Sequence, residues 1–133
     1  MIPIKQIASL IFVILFISCK KSGCNFVSNI IVNKTLTLEK SLIVSKAQGW
    51  VYEEGGRCGL ILYNNGDRVL AFDRCASEDS YLNNKLEVEG MEAVDPLSGA
   101  RWLLYDGSPT YLAECPLYQY RVMKSGNLYV ISN

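Results

Sequence analysis

Short runs of apolar residues, each interrupted by glycine, asparagine or aspartate, repeat along most of this chain. Apolar and polar residues alternate at Thr35–Leu38 and Leu86–Glu89, as they do in half-buried β-strands. Further apolar runs lie at Trp50–Tyr52, Arg57–Tyr63, Arg68–Phe72, Met91–Val94, Trp102–Tyr105, Tyr120–Met123 and Leu128–Ile131. No stretch after Cys19 has helical periodicity of useful length. The pattern therefore predicts an all-β sandwich or barrel.

Two turns are expected to join neighbouring runs into hairpins. Asn64-Asn65-Gly66-Asp67 contains Asn-Gly between two apolar runs, which is the strongest short signal for a β-hairpin. Lys124-Ser125-Gly126-Asn127 separates the last two runs in the same way. The chain has 133 residues and no internal repeat, so one β domain is expected after the N-terminal segment.

The N-terminal segment carries Lys5 and then a nearly continuous apolar run, Ile7–Ile17. This run is too short to span a membrane but has the length of the apolar core of a signal peptide. Phe16-Ile17-Ser18-Cys19 resembles the lipobox of bacterial lipoproteins, which implies cleavage after Ser18 and acyl chains on Cys19. The alternatives are an ordinary signal peptide cut near Ser18 and a retained anchor helix.

These features predict a signal peptide over residues 1–18, a lipidated cysteine and tether over 19–33, and a β domain over 34–133. The resemblance implies a bacterial envelope protein. Lys20, which is not the aspartate that marks inner-membrane retention in some bacteria, favours the outer membrane, facing the periplasm. Disulfides persist in exported domains. With Cys19 lipidated, four cysteines remain to form two disulfides: Cys24, Cys58, Cys75 and Cys115.

Composition excludes several functional classes. Lys plus Arg and Asp plus Glu number 13 each, so no basic surface for nucleic acid is expected. The chain has no histidine, which excludes Ser-His-Asp and Cys-His catalysis and every histidine-ligated metal site. Acidic residues could form acid pairs for glycoside hydrolysis, although such residues on strands usually face solvent. The candidates are Glu53, Glu54, Glu78, Asp79, Glu87, Glu89 and Glu92. No enzyme activity is therefore expected.

Two segments resemble the ligand loops of the Rieske iron–sulfur domain. Cys75-Ala76-Ser77 stands where that family has Cys-x-His, and Asp95-Pro96-Leu97-Ser98-Gly99 stands where it has Cys-Pro-x-His-Gly. Cys115-Pro116-Leu117-Tyr118 is similar to the family's later proline-containing loop. The resemblance extends from about Gly59 to Ser132. Within the family, the chain most resembles the lipoprotein-anchored Rieske-like proteins of Gram-negative bacteria. It implies a Rieske-like antiparallel β-sandwich or barrel with a small loop-rich subdomain.

The resemblance also implies that the family's cofactor is absent. Three of the four ligand positions have changed, to Ser77, Asp95 and Ser98, and Cys75 alone is retained. A Rieske 2Fe–2S centre needs two thiolates on one iron and two imidazoles on the other. That centre cannot form without histidine, so no 2Fe–2S cofactor is expected. A residual metal at Cys75 and Asp95, or a cluster held by cysteines alone, remains an alternative.

The resemblance places the proline loop beside the first ligand loop, and therefore implies that Cys115 lies near Cys75. A Cys75–Cys115 disulfide, which leaves Cys24 with Cys58, would join loops that a cluster otherwise cross-links. Four cysteines allow three pairings, so the others stay open. Cys75 could also be a redox-active thiol, activated by the neighbouring Arg74.

Aromatic residues near the proline loop form the remaining candidate surface: Trp102, Tyr111, Tyr118 and Tyr120. They could bind a protein or glycan partner, or fill the core and its rim. The expected function is that of an envelope lipoprotein, attached through acyl chains on Cys19, whose cluster-less domain is a binding or structural module. The alternative is an electron-transfer protein of the Rieske iron–sulfur type.

Overall fold

The computed structural model describes Cys24 and residues 30–77 and 83–133, so the expectations about residues 1–18 and Cys19 lie outside it. The described residues form one helix, α1 (Leu38–Val44), and ten strands. The strands are β1 (Asn33–Thr35), β2 (Trp50–Glu53), β3 (Leu60–Asn64), β4 (Val69–Asp73), β5 (Glu87–Glu89), β6 (Glu92–Val94), β7 (Arg101–Leu103), β8 (Pro109–Tyr111), β9 (Gln119–Ser125) and β10 (Leu128–Ser132).

The strands form two antiparallel sheets. The larger has six strands in the order β1-β10-β9-β4-β3-β2, and the smaller has four in the order β5-β6-β7-β8. Both predicted hairpins are confirmed, since β3 pairs with β4 across Asn64–Asp67 and β9 pairs with β10. The prediction of an all-β antiparallel fold with a smaller second unit is likewise confirmed.

The central strands β3 and β4 are buried on both faces, which explains their uninterrupted apolar sequences. Their alternate residues enter two separate clusters. One cluster, on the side of Val44 in α1, takes Leu60, Leu62, Val69 and Ala71. The other, on the side of Trp102 in β7, takes Ile61, Tyr63, Leu70 and Phe72. The small sheet and the helix therefore cover opposite faces of the same two strands.

The prediction that the chain has no helix, with a strand at Thr35–Leu38, is wrong in this region. The chain leaves β1 at Thr35 and begins α1 at Leu38. Thr37 caps the helix, because its Oγ1 accepts a hydrogen bond from the backbone N–H of Lys40 at 3.3 Å. The helix buries only Ser41 and Val44, so it leaves little apolar periodicity in the sequence. No helix in the described residues is long and apolar enough to cross a membrane.

Candidate functional site

The two loops that resemble Rieske ligand loops follow β4 and β6, and the segment before β5 connects them. Lys85 forms an isolated antiparallel bridge with Cys75 in the first loop. The side-chain amide of the preceding residue, Asn84, donates to Oδ2 of Asp95 in the second loop at 2.7 Å. The segment before β5 thus contacts both ligand-like loops, at Cys75 in the first and at Asp95 in the second.

Asp95 is fully buried, and residues of its own loop donate hydrogen bonds to its carboxylate. The Ser98 hydroxyl donates to Oδ2 at 2.6 Å, and the Leu97 N–H donates to Oδ1 at 2.9 Å. Burial alone would raise the pKa of Asp95, but the hydrogen bonds from Ser98, Asn84 and the backbone outweigh it and hold the pKa below its usual value. Asp95 is therefore an ionised group that stabilises a turn.

The residues at the four ligand-like positions do not fit a Rieske cluster. Cys75 is bonded to another cysteine, Asp95 and Ser98 bond to each other, and Ser77 offers only a hydroxyl. The Ser77 oxygen is buried and has no hydrogen-bond partner in the described part of the chain. Two thiolates and two imidazoles cannot be assembled from this set.

The predicted disulfide pairing, Cys75 with Cys115 and Cys24 with Cys58, is wrong. All four cysteines are bonded, but Cys58 pairs with Cys75 and Cys24 pairs with Cys115. The reason lies in the β3–β4 hairpin, whose register places Leu60 opposite Asp73. Two residues beyond this pair, just outside β3 and β4, Cys58 and Cys75 face each other with their Cα atoms 5.1 Å apart.

Cys115 is held at the small sheet instead. Cys115 is only 2% exposed, and the Trp102 indole N–H donates to its backbone carbonyl at 2.8 Å. Trp102 lies in the core cluster beneath the small sheet. The disulfide to Cys24 consequently fastens the N-terminal end of the described chain to this unit.

Asp73 is a buried carboxylate that the sequence reasoning did not single out. Its Oδ1 accepts from the N–H groups of Cys58 at 3.2 Å and Cys75 at 2.8 Å. Its Oδ2 accepts from the Arg57 N–H and the Tyr120 hydroxyl, each at 2.7 Å. Burial, and then the hydrogen bond to Asp73, raise the pKa of Tyr120. The carboxylate therefore organises the chain on both sides of the Cys58–Cys75 disulfide.

An open cavity of about 470 Å³ lies beside this disulfide, and we call it the cationic cavity. Its described lining includes Cys58 and four cations, Lys40, Arg57, Arg74 and Lys85. The Arg74 guanidinium lies 3.7 Å from the centre of the Tyr52 ring, and its Nε donates to the Leu86 carbonyl at 2.8 Å. Burial lowers the pKa of Arg74. The cavity was not apparent in sequence because its lining comes from separate segments.

The aromatic residues proposed as a binding surface do not share one exposed face. Trp102 and Tyr120 are buried, and Tyr118 is half-buried with its ring edge-on to Tyr120 at 5.0 Å. Tyr111 is 58% exposed. Most of this set therefore fills the core or its rim.

Of the acidic residues considered as acid pairs, Glu78 and Asp79 lie outside the described residues. Glu54, Glu87 and Glu89 are exposed, Glu53 and Glu92 are partly buried, and three of these glutamates form ion pairs. Glu53 pairs with Lys40 at 3.1 Å, and Glu89 and Glu92 each lie 3.4 Å from Arg101.

Comparison with known proteins gives a likeness of fold. No protein-family model matches the chain, and no curated protein matches it. The structure is similar to the ferredoxin of carbazole 1,9a-dioxygenase from Nocardioides aromaticivorans IC177, with 22% identity, 77% of this chain and 96% of that chain covered, and a TM-score of 0.49. It is also similar to a chain of the complex of reduced oxygenase and oxidized ferredoxin in carbazole 1,9a-dioxygenase. There the identity is 15%, 68% of this chain and 87% of that chain are covered, and the TM-score is 0.49. The likeness is one of fold alone.

Proposed function

We propose that this protein is a lipid-anchored envelope protein whose β domain is a binding or structural module without an iron–sulfur cluster and without enzymatic activity. The observation that carries the proposal is the state of the ligand-like positions. Cys75 is bonded to Cys58, and the Asp95 carboxylate accepts hydrogen bonds from its own loop and from Asn84. The disulfide closes the β3–β4 hairpin and the hydrogen bonds stabilise the second loop, so Cys75 and Asp95 are both already used in structural contacts.

The anchor is proposed from the sequence. Ser18-Cys19 follows an apolar core of signal-peptide length, and acyl chains on Cys19 would hold the protein at the outer membrane, facing the periplasm. The two disulfides support an oxidising compartment, in which such bonds persist. The partner of the module is a protein or a glycan.

The cofactor proposal is tested by purifying the full chain under nitrogen, treating it with iron and sulfide under reducing conditions, and recording its visible spectrum and iron content. We expect no iron–sulfur absorption and less than stoichiometric iron. Stable absorption bands with about two irons per chain would favour the alternative function, electron transfer. A Cys75→Ala variant then shows whether Cys75 is a ligand.

The anchor is tested separately by expressing the chain in bacteria supplied with a labelled fatty acid. We expect label on the wild-type protein, recovery in the outer-membrane fraction, and loss of both in Cys19→Ser. Unlabelled wild-type protein in the soluble periplasmic fraction would contradict the anchor while leaving the cofactor proposal standing. Co-purification after mild detergent treatment identifies the partner.

A further inference from the structure

Three large apolar or aromatic side chains are exposed at one end of the small sheet. The loop between β6 and β7 leaves the sheet where Val94 pairs with Arg101, and it carries Leu97, which is 79% exposed. Tyr111 pairs with the same Arg101, so the chain leaves β8 at this end as well. Tyr111 is 58% exposed, and the next residue, Leu112, is 56% exposed. We call Leu97, Tyr111 and Leu112 the apolar end of the small sheet.

Neither the core nor the backbone accounts for a leucine at position 112. Its side chain lies mostly outside the core, and its φ is +57°, in the left-handed region that favours glycine or asparagine. A leucine at this position therefore adds little to the packing of the domain and carries backbone strain. Strained residues are characteristic of binding surfaces. An apolar contact made outside the domain would give this side chain a use.

The Cys24–Cys115 disulfide links this end to the proposed lipid anchor. Cys115 follows Leu112 by three residues and is bonded to Cys24. Residues 20–23 alone separate Cys24 from Cys19, and a chain spans at most about 3.6 Å per residue, so the two cysteines lie within about 18 Å of each other. With Cys19 acylated as proposed, the part of the fold held next to the bilayer is the small sheet.

We propose that the apolar end of the small sheet inserts into the lipid bilayer at its interface, an inference that rests on the lipid anchor of the proposed function. The two leucines enter the boundary between headgroups and acyl chains, and the amphipathic ring of Tyr111 lies at headgroup level. Charges of both signs lie near this end of the sheet: Lys85, Glu87, Arg101 and Glu114. Apolar contact, rather than attraction to charged headgroups, therefore holds the domain against the lipid.

Helix α1 also exposes apolar side chains and provides a matched comparison. It covers the face of β3 and β4 opposite to the small sheet, whereas Cys115 is held at the small sheet by Trp102. Leu42 in α1 is 55% exposed, so it matches Leu112 in residue type and in exposure. Exposure alone would give both leucines the same contact with lipid, while the position of the anchor favours Leu112.

The test adds a tryptophan to each surface of the acylated full chain, reconstituted in phosphatidylcholine vesicles. Leu97→Trp places the reporter in the apolar end, and Leu42→Trp places it on α1. Bromine atoms on the lipid acyl chains quench tryptophan on contact, and the wild-type protein corrects for Trp50 and Trp102. We expect brominated lipid to cause a loss of emission from the tryptophan added at position 97 and none from that added at position 42.

A second variant ties the contact to Leu112. Leu112→Asn removes the apolar side chain and suits the left-handed backbone, so it should fold and reduce the quenching at position 97, whereas Leu42→Asn should not reduce it. Equal quenching at positions 97 and 42 would overturn the inference. No quenching at position 97 would also overturn it, as expected if this end bound a protein instead.

Mass spectrometry of the same samples separates the two proposals. Acyl chains on Cys19 without quenching at position 97 would overturn the inserted apolar end and leave the proposed anchor standing. Absence of acyl chains would contradict the anchor, and the inference with it.

Discussion

Asp73 and Asp95 are both fully buried, and the protein supplies hydrogen bonds to each carboxylate. The resemblance to the second Rieske ligand loop singles out Asp95, and two of its partners, Leu97 and Ser98, lie in the same short loop. The partners of Asp73 come from residues 57–58, 75 and 120, which are far apart in the chain. No local pattern shows such a set, so this carboxylate could be found only from the fold.

The hydrogen bond from Tyr120 to Asp73 should contribute measurably to stability. Tyr120→Phe removes one of the four described donors to a buried carboxylate, and we expect the free energy of unfolding to fall by about 1.5–3 kcal/mol. Urea unfolding at neutral pH measures the loss. Tyr118→Phe is the matched control, since this half-buried ring packs edge-on against Tyr120. Equal losses in the two variants would contradict the assignment.

The carboxylate of Asp95 should make stability depend on pH in the acid range. Hydrogen bonds outweigh its burial and lower its pKa in the folded protein. Its contribution is therefore complete above the unfolded pKa of about 3.9 and is lost as the pH falls through the lower, folded pKa. In urea unfolding between neutral pH and about pH 2, Asp95→Asn should lose less stability on acidification than the wild type, with Ser98→Ala in between. Parallel curves for the three proteins would rule this out.

The elements show where local sequence signals suffice. The Asn64–Asp67 turn was predicted, and its register alone places Cys58 opposite Cys75. That disulfide could therefore have been derived from the hairpin, whereas the resemblance to the Rieske loops points to Cys115. Two elements could not be predicted from a local sequence pattern. The short helix α1 depends on the Thr37 cap and on packing, and the three residues of β8 (Pro109–Tyr111) carry no strand pattern.

The loop between β2 and β3 requires glycine at position 56 for space as well as for conformation. Gly56 has φ +61°, and a Cβ there would overlap the Asp73 carboxylate and lie 2.8 Å from the Tyr120 hydroxyl. Gly126 has φ +62°, and a Cβ there would have no other atom within 4 Å. Gly126→Ala thus measures the conformational cost alone, about 1–2 kcal/mol, and Gly56→Ala should lose clearly more stability or fail to fold. Similar melting temperatures for the two variants would show that the loop can move away from Asp73.

At the scale of the whole molecule, the two disulfides constrain very different lengths of chain. Cys58 and Cys75 are 17 residues apart and close one hairpin, while Cys24 and Cys115 are 91 residues apart and join the N-terminal end to the small sheet. Since Cys24 is bonded to Cys115, four residues, 20–23, separate the proposed lipidation site Cys19 from a residue fastened to the domain. The Cys24–Cys115 disulfide joins residues 91 positions apart, and neither the number nor the spacing of the cysteines predicts that pairing.

Removing the longer disulfide should cost more stability. By chain entropy, a loop of about 15 residues contributes about 3 kcal/mol and one of about 100 residues about 4.7 kcal/mol. We therefore expect the pair Cys24→Ala and Cys115→Ala to lower the free energy of unfolding by roughly 1.5 kcal/mol more than the pair Cys58→Ala and Cys75→Ala. Denaturant unfolding of both double variants measures the difference. The reverse order would mean that native contacts outweigh the chain-entropy effect.

The Cys24–Cys115 disulfide should also keep the domain close to the membrane if Cys19 is lipidated. A chain spans at most about 3.6 Å per residue, so Cys24 lies no more than about 18 Å from Cys19. Without the disulfide, the next fastened residue among those described is Ile30, whose carbonyl accepts a hydrogen bond from the Asn133 side-chain amide, and this allows about 40 Å. Förster transfer from a fluorescent amino acid at the exposed Leu112 to an acceptor lipid should therefore fall when Cys24 and Cys115 are replaced by alanine. Replacing Cys58 and Cys75 controls for lost stability, and mass spectrometry confirms the acyl chains in every sample. Unchanged transfer with the acyl chains present would mean that other contacts hold the domain at the membrane.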